Sequence, residues 1–164
     1  MAEKETIERA RQDAAKGMSA STQAGEFVRE EMEHIRKGKH GARSTKQAIA
    51  IGLSKARRAG VHLAPPKKGT VSGRTWRSAE RAYEKGQAHE PISPVRSRAG
   101  EKALRREPHQ AASHSALSRQ ARSAARRRTA AERSAAARKA ARTKGPRERS
   151  EAAKKAARTR ALEE

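Results

Sequence analysis

Cysteine is absent from the 164-residue chain, which excludes disulfides, iron–sulfur clusters, thiolate zinc sites and cysteine nucleophiles together. Aromatic residues are almost absent, with Phe27, Trp76 and Tyr83 the whole set. Val, Ile, Leu and Phe number 15, about 9% of the chain, so most of the 34% hydrophobic content is alanine. With so few large apolar side chains and a high net charge, much of the chain lacks the means to offset its conformational entropy. The richest apolar run, Ala48-Ile-Ala-Ile-Gly-Leu53, falls far short of the roughly 18 residues that a membrane span needs. The opening Met-Ala-Glu-Lys-Glu-Thr-Ile-Glu carries both signs of charge and does not fit a secretory signal. A soluble, cytoplasmic protein is the expectation, with no membrane partner.

What the chain has in excess is positive charge. Forty Lys and Arg face 18 Asp and Glu, giving a net charge of +22 and a pI near 11.5. Residues 1–43 are nearly balanced, with nine basic and eight acidic side chains. Residues 44–87 carry ten against two, and residues 88–164 carry 21 against eight. The large aliphatic residues run the other way: after residue 87 only Ile92, Val95, Leu104, Leu117 and Leu162 remain. The chain therefore divides into a solvated N-terminal helix (1–20), a small helical domain (21–87) and a basic low-complexity tail (88–164), with the ordered part ending near Gly86 to Pro94. The fold class expected is mostly α, without a β-sheet, followed by a disordered or conditionally helical Ala/Arg/Lys-rich tail.

Four helices can be placed. Residues 3–16 form the first, with Glu5 and Arg9 at i,i+4 and Gly17 closing it. The second runs from about Thr22 to Lys37, with Val28, Met32 and Ile35 on one side, Phe27 beside them, and Gly38 as terminator. Ser44-Thr-Lys-Gln47 has the capping-box form, and opens a third helix carrying Ile49, Leu53 and Ala56, with Lys55, Arg57 and Arg58 in its last turn and Gly60 as a left-handed cap. A fourth spans about Arg74 to Lys85, capped by Ser72 or Thr75 and showing Trp76, Ala79 and Tyr83 at helical spacing. The expected core is Phe27, Val28, Met32, Ile35, Ile49, Leu53, Trp76 and Tyr83, a marginal size for an independent domain.

The tail repeats itself. Arg133-Ser-Ala-Ala-Ala-Arg-Lys-Ala-Ala-Arg-Thr-Lys144 returns as Arg149-Ser-Glu-Ala-Ala-Lys-Lys-Ala-Ala-Arg-Thr-Arg160, with Gly145-Pro146 between the copies. No Gly or Pro falls between His109 and Lys144, and Ala and Arg favour helix. Ten basic side chains against Glu132 alone make such a helix repel itself, and on a helical wheel they surround the axis. Neutralisation by a polyanion relieves the repulsion. The side chains expected to meet phosphates are Arg119, Arg122, Arg126, Arg127, Arg128, Arg133, Arg138, Lys139, Arg142, Lys144, Arg149, Lys154, Lys155, Arg158 and Arg160. The tail has no aromatic residue to stack on unpaired bases, which points to a duplex backbone in preference to single strands. In composition, residues 97–161 resemble the C-terminal tails of linker-histone-like proteins.

Two smaller motifs stand out. Gly38-Lys-His-Gly-Ala-Arg-Ser44 joins two helices and sets Lys39, His40, Arg43 and Ser44 near a helix N-terminus, a possible single phosphate site or a plain turn. Ser93-Pro-Val-Arg96 partly matches a Ser-Pro-basic-basic turn and reads more simply as a linker turn. The stretch from Gly38 to Gly60, with its core Ser44-Thr-Lys-Gln-Ala-Ile-Ala-Ile-Gly-Leu-Ser54, resembles an element of small basic bacterial proteins of unassigned function, over about residues 26–66. The resemblance implies a bacterial source and carries no activity.

Catalysis finds little support. Asp13 is the only Asp, the histidines (34, 40, 62, 89, 109 and 114) show no metal-ligand spacing, and no Walker loop or Gly-x-Ser-x-Gly occurs. No cofactor and no metal site is expected. The reading is a non-enzymatic protein that binds and compacts DNA without sequence preference, nucleoid-associated and linker-histone-like. One alternative is an RNA- or ribosome-associated basic protein. The other is a protein-interaction or stress-response module in which the helical domain binds a protein partner or a second copy of itself.

Overall fold

In the computed structural model, which describes residues 2–143 and 145–161, every regular element is helical. The order is α1 (Lys4–Ala15), α2 (Ala20–Arg36), α3 (Thr45–Arg58), α4 (Gly73–Gln87), α5 (Pro94–Leu104), a 3₁₀ turn (His109–Ala112), α6 (His114–Arg126), α7 (Ala130–Thr143) and α8 (Pro146–Ala161). No helix is long and apolar enough to cross a membrane among the described residues. Serine hydroxyls start five helices: Ser19, Ser44, Ser72, Ser93 and Ser113 accept from the amides of Thr22, Gln47, Thr75, Arg96 and Ala116. Ser93 is thus a helix cap with Pro94 in the first turn, in place of the linker turn expected there. Gly17, Gly38 and Gly60 all take positive φ just after a helix, as C-terminal caps do.

The chain falls into two compact units, residues 1–120 and 121–164. In the first, α2 packs against α1 and α3, and α4 packs on α3. One apolar cluster joins Phe27, Ala10, Ala24, Ala56 and Val61, with Ile7 and Leu53 at its edge. A second joins Met32, Ile35, Ala42, Ala48, Ala111 and Ala112, with Val28, Ile49 and Leu117 against it. Alanine and glycine dominate because the helices approach closely. A Cβ at Gly52 would lie 2.7 Å from the Val28 Cα, and one at Gly86 would overlap the Arg57 carbonyl oxygen.

The structure departs from the sequence expectations in three further respects. α1 is not merely solvated: Thr6 and Ala10 are buried against α2, and Arg9 reaches Glu26 at 2.6 Å, closer than Glu5 at 3.9 Å. Trp76 and Tyr83 are half-buried, and α4 turns Ala79, Ala82 and Gly86 inward, because only small residues fit against α3. The ordered unit also runs past residue 94 to Gln120. Ala111 and Ala112 are buried in it, and the loop before α3 is tied to this later segment. Gly41 N–H donates to Leu104 O, Ala42 N–H to Pro108 O and the Thr45 hydroxyl to Ala111 O. Hydrogen bonds from small residues, which apolar counting does not register, hold the segment in place.

In the second unit, the helices α7 and α8 have almost every described side chain exposed. The tail is helical over α6, α7 and α8, but not as one uninterrupted helix. Arg127 to Thr129 break it, and Thr129 starts α7 afresh with a capping box: its hydroxyl accepts from the Glu132 amide and its own amide donates to the Glu132 carboxylate.

Candidate nucleic-acid interface

The expected phosphate-binding residues lie on exposed helical surface. On α6, Arg119, Arg122 and Arg126 are spaced by three and four residues, so they share one side of that helix. Half-buried Ala116, Leu117 and Gln120 occupy another. The break at 127–129 ends α6 just beyond this arginine stripe. Arg127 and Arg128 extend it into the turn. On α7, helical spacing puts Arg138, Lys139 and Arg142 together and Arg133 opposite. On α8, Lys154, Lys155 and Arg158 group with Arg147, while Arg149 and Arg160 lie across the helix. All of these are exposed. Lys144 lies outside the described residues. Residues 121–164 carry 15 basic and five acidic side chains, net +10.

Local hydrogen bonds in the tail leave the charge in place. Arg133 and Arg160 donate to backbone carbonyls of Arg128 and Ala156, and Arg138 to the Ser134 hydroxyl. Glu132 is turned toward the cap of α7, where the Thr129 amide and then its hydroxyl hold its carboxyl below the usual value. Guanidinium groups on helices of this kind, spaced well inside one Debye length, add their potentials along the surface.

The folded unit adds a basic surface that reading the sequence missed. Arg74, Arg77 and Arg81 on α4 are exposed and spaced i, i+3, i+7, next to exposed Lys67 and Lys68 in the preceding loop. Lys68 sits over the Trp76 ring, 4.5 Å from its centroid. The sequence signal was present in the small residues at 79, 82 and 86, which mark the inner side of α4 and leave the arginines outside. Trp76 and Tyr83 stand half-buried beside that inner side, which they share with Ala79.

The loop Gly38–Ser44 is not an open phosphate cradle. Its Gly41 and Ala42 amides are engaged by carbonyls, and the segment 104–108 covers it so closely that a Cβ at Gly41 would overlap the Glu107 carbonyl oxygen. Ser44 is occupied as the α3 cap, and the Arg43 amide donates to the Gln47 side chain. Lys39 pairs with Glu3 at 2.7 Å, and His40 is buried with Nε2 3.5 Å from Glu31 Oε1.

These pairs belong to a polar cluster at the end of α2, buried at Glu30, Glu31, His34 and His40 and exposed at Glu3 and Lys39. His34 Nε2 stands 2.8 Å from Glu3 Oε1, and His34 Nδ1 is 4.0 Å from Glu30 Oε1. Lys55 Nζ of α3 lies 2.7 Å from Glu31 Oε2 and 3.3 Å from Glu30 Oε1. Glu3, bonded by Lys39 and then His34, has its carboxyl pulled down to about 2. No local motif announces this cluster, because its members come from positions 3, 30, 31, 34, 39, 40 and 55.

Residues 19–68 match the model of a family of unknown function, DUF6496. The matched stretch contains α2, the covered loop, α3 and the segment that returns along it, and it overlaps the 26–66 element singled out from sequence. It holds six of the seven members of the polar cluster and ends before Arg74 and the basic tail. No curated protein and no solved structure matches the chain.

Proposed function

We propose that this protein binds DNA without sequence preference and compacts it, acting in the cytoplasm as a nucleoid-associated, linker-histone-like protein and not as an enzyme. The observation that carries this reading is the density of exposed Arg and Lys on α6, α7 and α8, net +10 over residues 121–164. Side chains of this kind neutralise phosphates and release counterions, which gives strong, sequence-independent and salt-sensitive binding. Arg74, Arg77 and Arg81 on α4 offer a second place for phosphates, and a chain that holds DNA at two places can bring two segments together. The tail from residue 88 contains no aromatic side chain, so stacking on unpaired bases is closed to it and the duplex backbone is its natural target.

The tail helices depend on the partner. Among the described residues α7 and α8 bury no apolar face, and helices of 14 and 16 residues are marginal on their own in water. Phosphates remove the repulsion among their guanidinium groups and raise their helix content. The first unit supplies the rigid anchor.

The test is duplex affinity of the full chain across a salt series, alongside a full-length variant with Arg122, Arg126, Arg138 and Arg142 changed to Gln. The expected result is a steep log–log dependence for the natural chain, shallower in the variant by about 0.9 for each phosphate that it no longer neutralises. Structured RNA added at equal phosphate concentration should compete less well than duplex DNA. Better competition by the RNA would move the reading to an RNA-associated protein.

A further inference from the structure

We propose that Glu31, His34 and His40 form a binding site for a divalent transition-metal ion of the zinc class. Glu31 and His34 lie three apart on α2, and His40 is carried back to them by the turn at Gly38, which has φ +71°. One donor atom from each lies within 4.8 Å of the others, and all three residues are buried. Donors on a tetrahedral ion at bonds of roughly 2.0–2.1 Å stand about 3.3 Å apart. His40 Nε2 and Glu31 Oε1 are already 3.5 Å apart. The two imidazoles meet edge to face with centroids 5.8 Å apart, an approach open to two rings sharing one ion.

Two further observations point to a cation. The first is Glu31 itself. Its side chain is fully buried, yet neither carboxylate oxygen receives a well-directed hydrogen bond. Lys55 is close to Oε2 but is shared with Glu30, so one ammonium faces two buried carboxylates. A buried carboxylate left in that state is costly, and an ion at Oε1 would remove the cost. The second is how the rings are held. His34 Nε2 is bonded to the Glu3 carboxylate, and His40 Nδ1 is 3.2 Å from the Gly41 carbonyl. Ligating histidines are oriented in this way, by a carboxylate or carbonyl on the nitrogen that does not bind metal. The remaining nitrogens are then His34 Nδ1, on the side of the α2 carboxylates, and His40 Nε2, facing Glu31.

Two imidazoles and one carboxylate suit Zn(II), Co(II) or Ni(II) better than Mg(II) or Ca(II), which take all-oxygen sites. Three protein donors leave a fourth position, and the residues border a cavity of about 340 Å³ that Ser97 and Glu101 of α5 also line. There is room there for a water or a further ligand. A bound ion would fasten the end of α2 to the loop that precedes α3.

The experiment uses the full-length chain stripped with a chelator, then titrated with Zn(II) by calorimetry and with Co(II) by visible absorption. The expected result is one equivalent taken up with the strong absorption of a tetrahedral Co(II) centre. His40→Ala should weaken uptake by more than about 100-fold, and Glu3→Gln, which keeps all three donors, by about tenfold. Glu3 is half exposed, so that variant keeps the fold, with helix content checked by circular dichroism. Changing the exposed His109 and His114 to Gln should leave uptake unaltered. Absence of stoichiometric uptake by the natural chain at micromolar metal would overturn the proposal. So would equal uptake by the natural chain and both cluster variants, since the ion would then sit on surface histidines.

Discussion

Gly52 and Gly86 set the spacing of α2, α3 and α4. A Cβ at Gly52 would press on the Val28 Cα and the Phe27 carbonyl, and one at Gly86 on the backbone of Arg57. Neither neighbour is a flexible side chain that turns aside, so the helices themselves must separate. Gly52→Ala and Gly86→Ala should each lower stability by about 1–3 kcal/mol in urea denaturation. Gly25, inside α2 with nothing within 4 Å of a Cβ, is the control, and Gly25→Ala should raise stability by about 0.5–1 kcal/mol. A uniform response of the three would show that helix propensity, and not the close approach, governs these positions. At the same scale, Arg57 is buried without a carboxylate beside it, and burial pushes its guanidinium below its usual value. Its hydrogen bonds go to the Leu63 and Ala64 carbonyls, which fix the return of the chain after Gly60.

The elements of the first unit were legible where the signal was local. The serine at the start of α3, the glycines after α1, α2 and α3, and the apolar spacing of α2 all specify structure within one turn of helix, and each occurs where expected. Two kinds of information were hidden. The inner side of α4 consists of Ala79, Ala82 and Gly86, which carry almost no hydrophobic signal although they permit the tightest approach. The place of residues 104–112 rests on backbone and hydroxyl hydrogen bonds to Gly41, Ala42 and Thr45, partners some 60 residues away that no window of sequence displays. The buried cluster of Glu31, His34 and His40 was hidden for the same reason, since a turn, and not helical spacing, brings His40 to the other two.

The start of α7 gives an element-scale test. Glu132 is bonded to the Thr129 amide and hydroxyl, and its carboxyl is held below the usual value. A carboxyl depressed in the folded state contributes above its unfolded value and loses that contribution as pH falls through the folded one. The amide resonances of 129–133 should therefore lose their helical shifts as the solution is taken to acid, and Glu132→Ala should produce the same loss at neutral pH. A pH-independent α7 would show that the cap does not hold the helix. On adding duplex DNA, ellipticity at 222 nm should deepen as α7 and α8 gain helix. No change in ellipticity would count against partner-coupled folding of the tail.

At the scale of the whole molecule the charge is divided unevenly: an alanine- and glycine-packed unit with ion pairs along α1 and α2, and a unit of 44 residues with three basic side chains for every acidic one. The polyanion reading follows from that second composition, which was fully visible in the sequence. The exposed Arg74, Arg77 and Arg81 became visible only once α4 had an inner and an outer side. DNA binding by the tail is tested most directly by the slope of log affinity for duplex DNA against log salt concentration. It should be measured on the full chain and on its Arg122, Arg126, Arg138 and Arg142→Gln variant. Binding should persist at about 150 mM salt, with a slope that falls by about three to four in the variant. Equal slopes for the two proteins, or binding already absent at that salt concentration, would contradict a tail that neutralises phosphates.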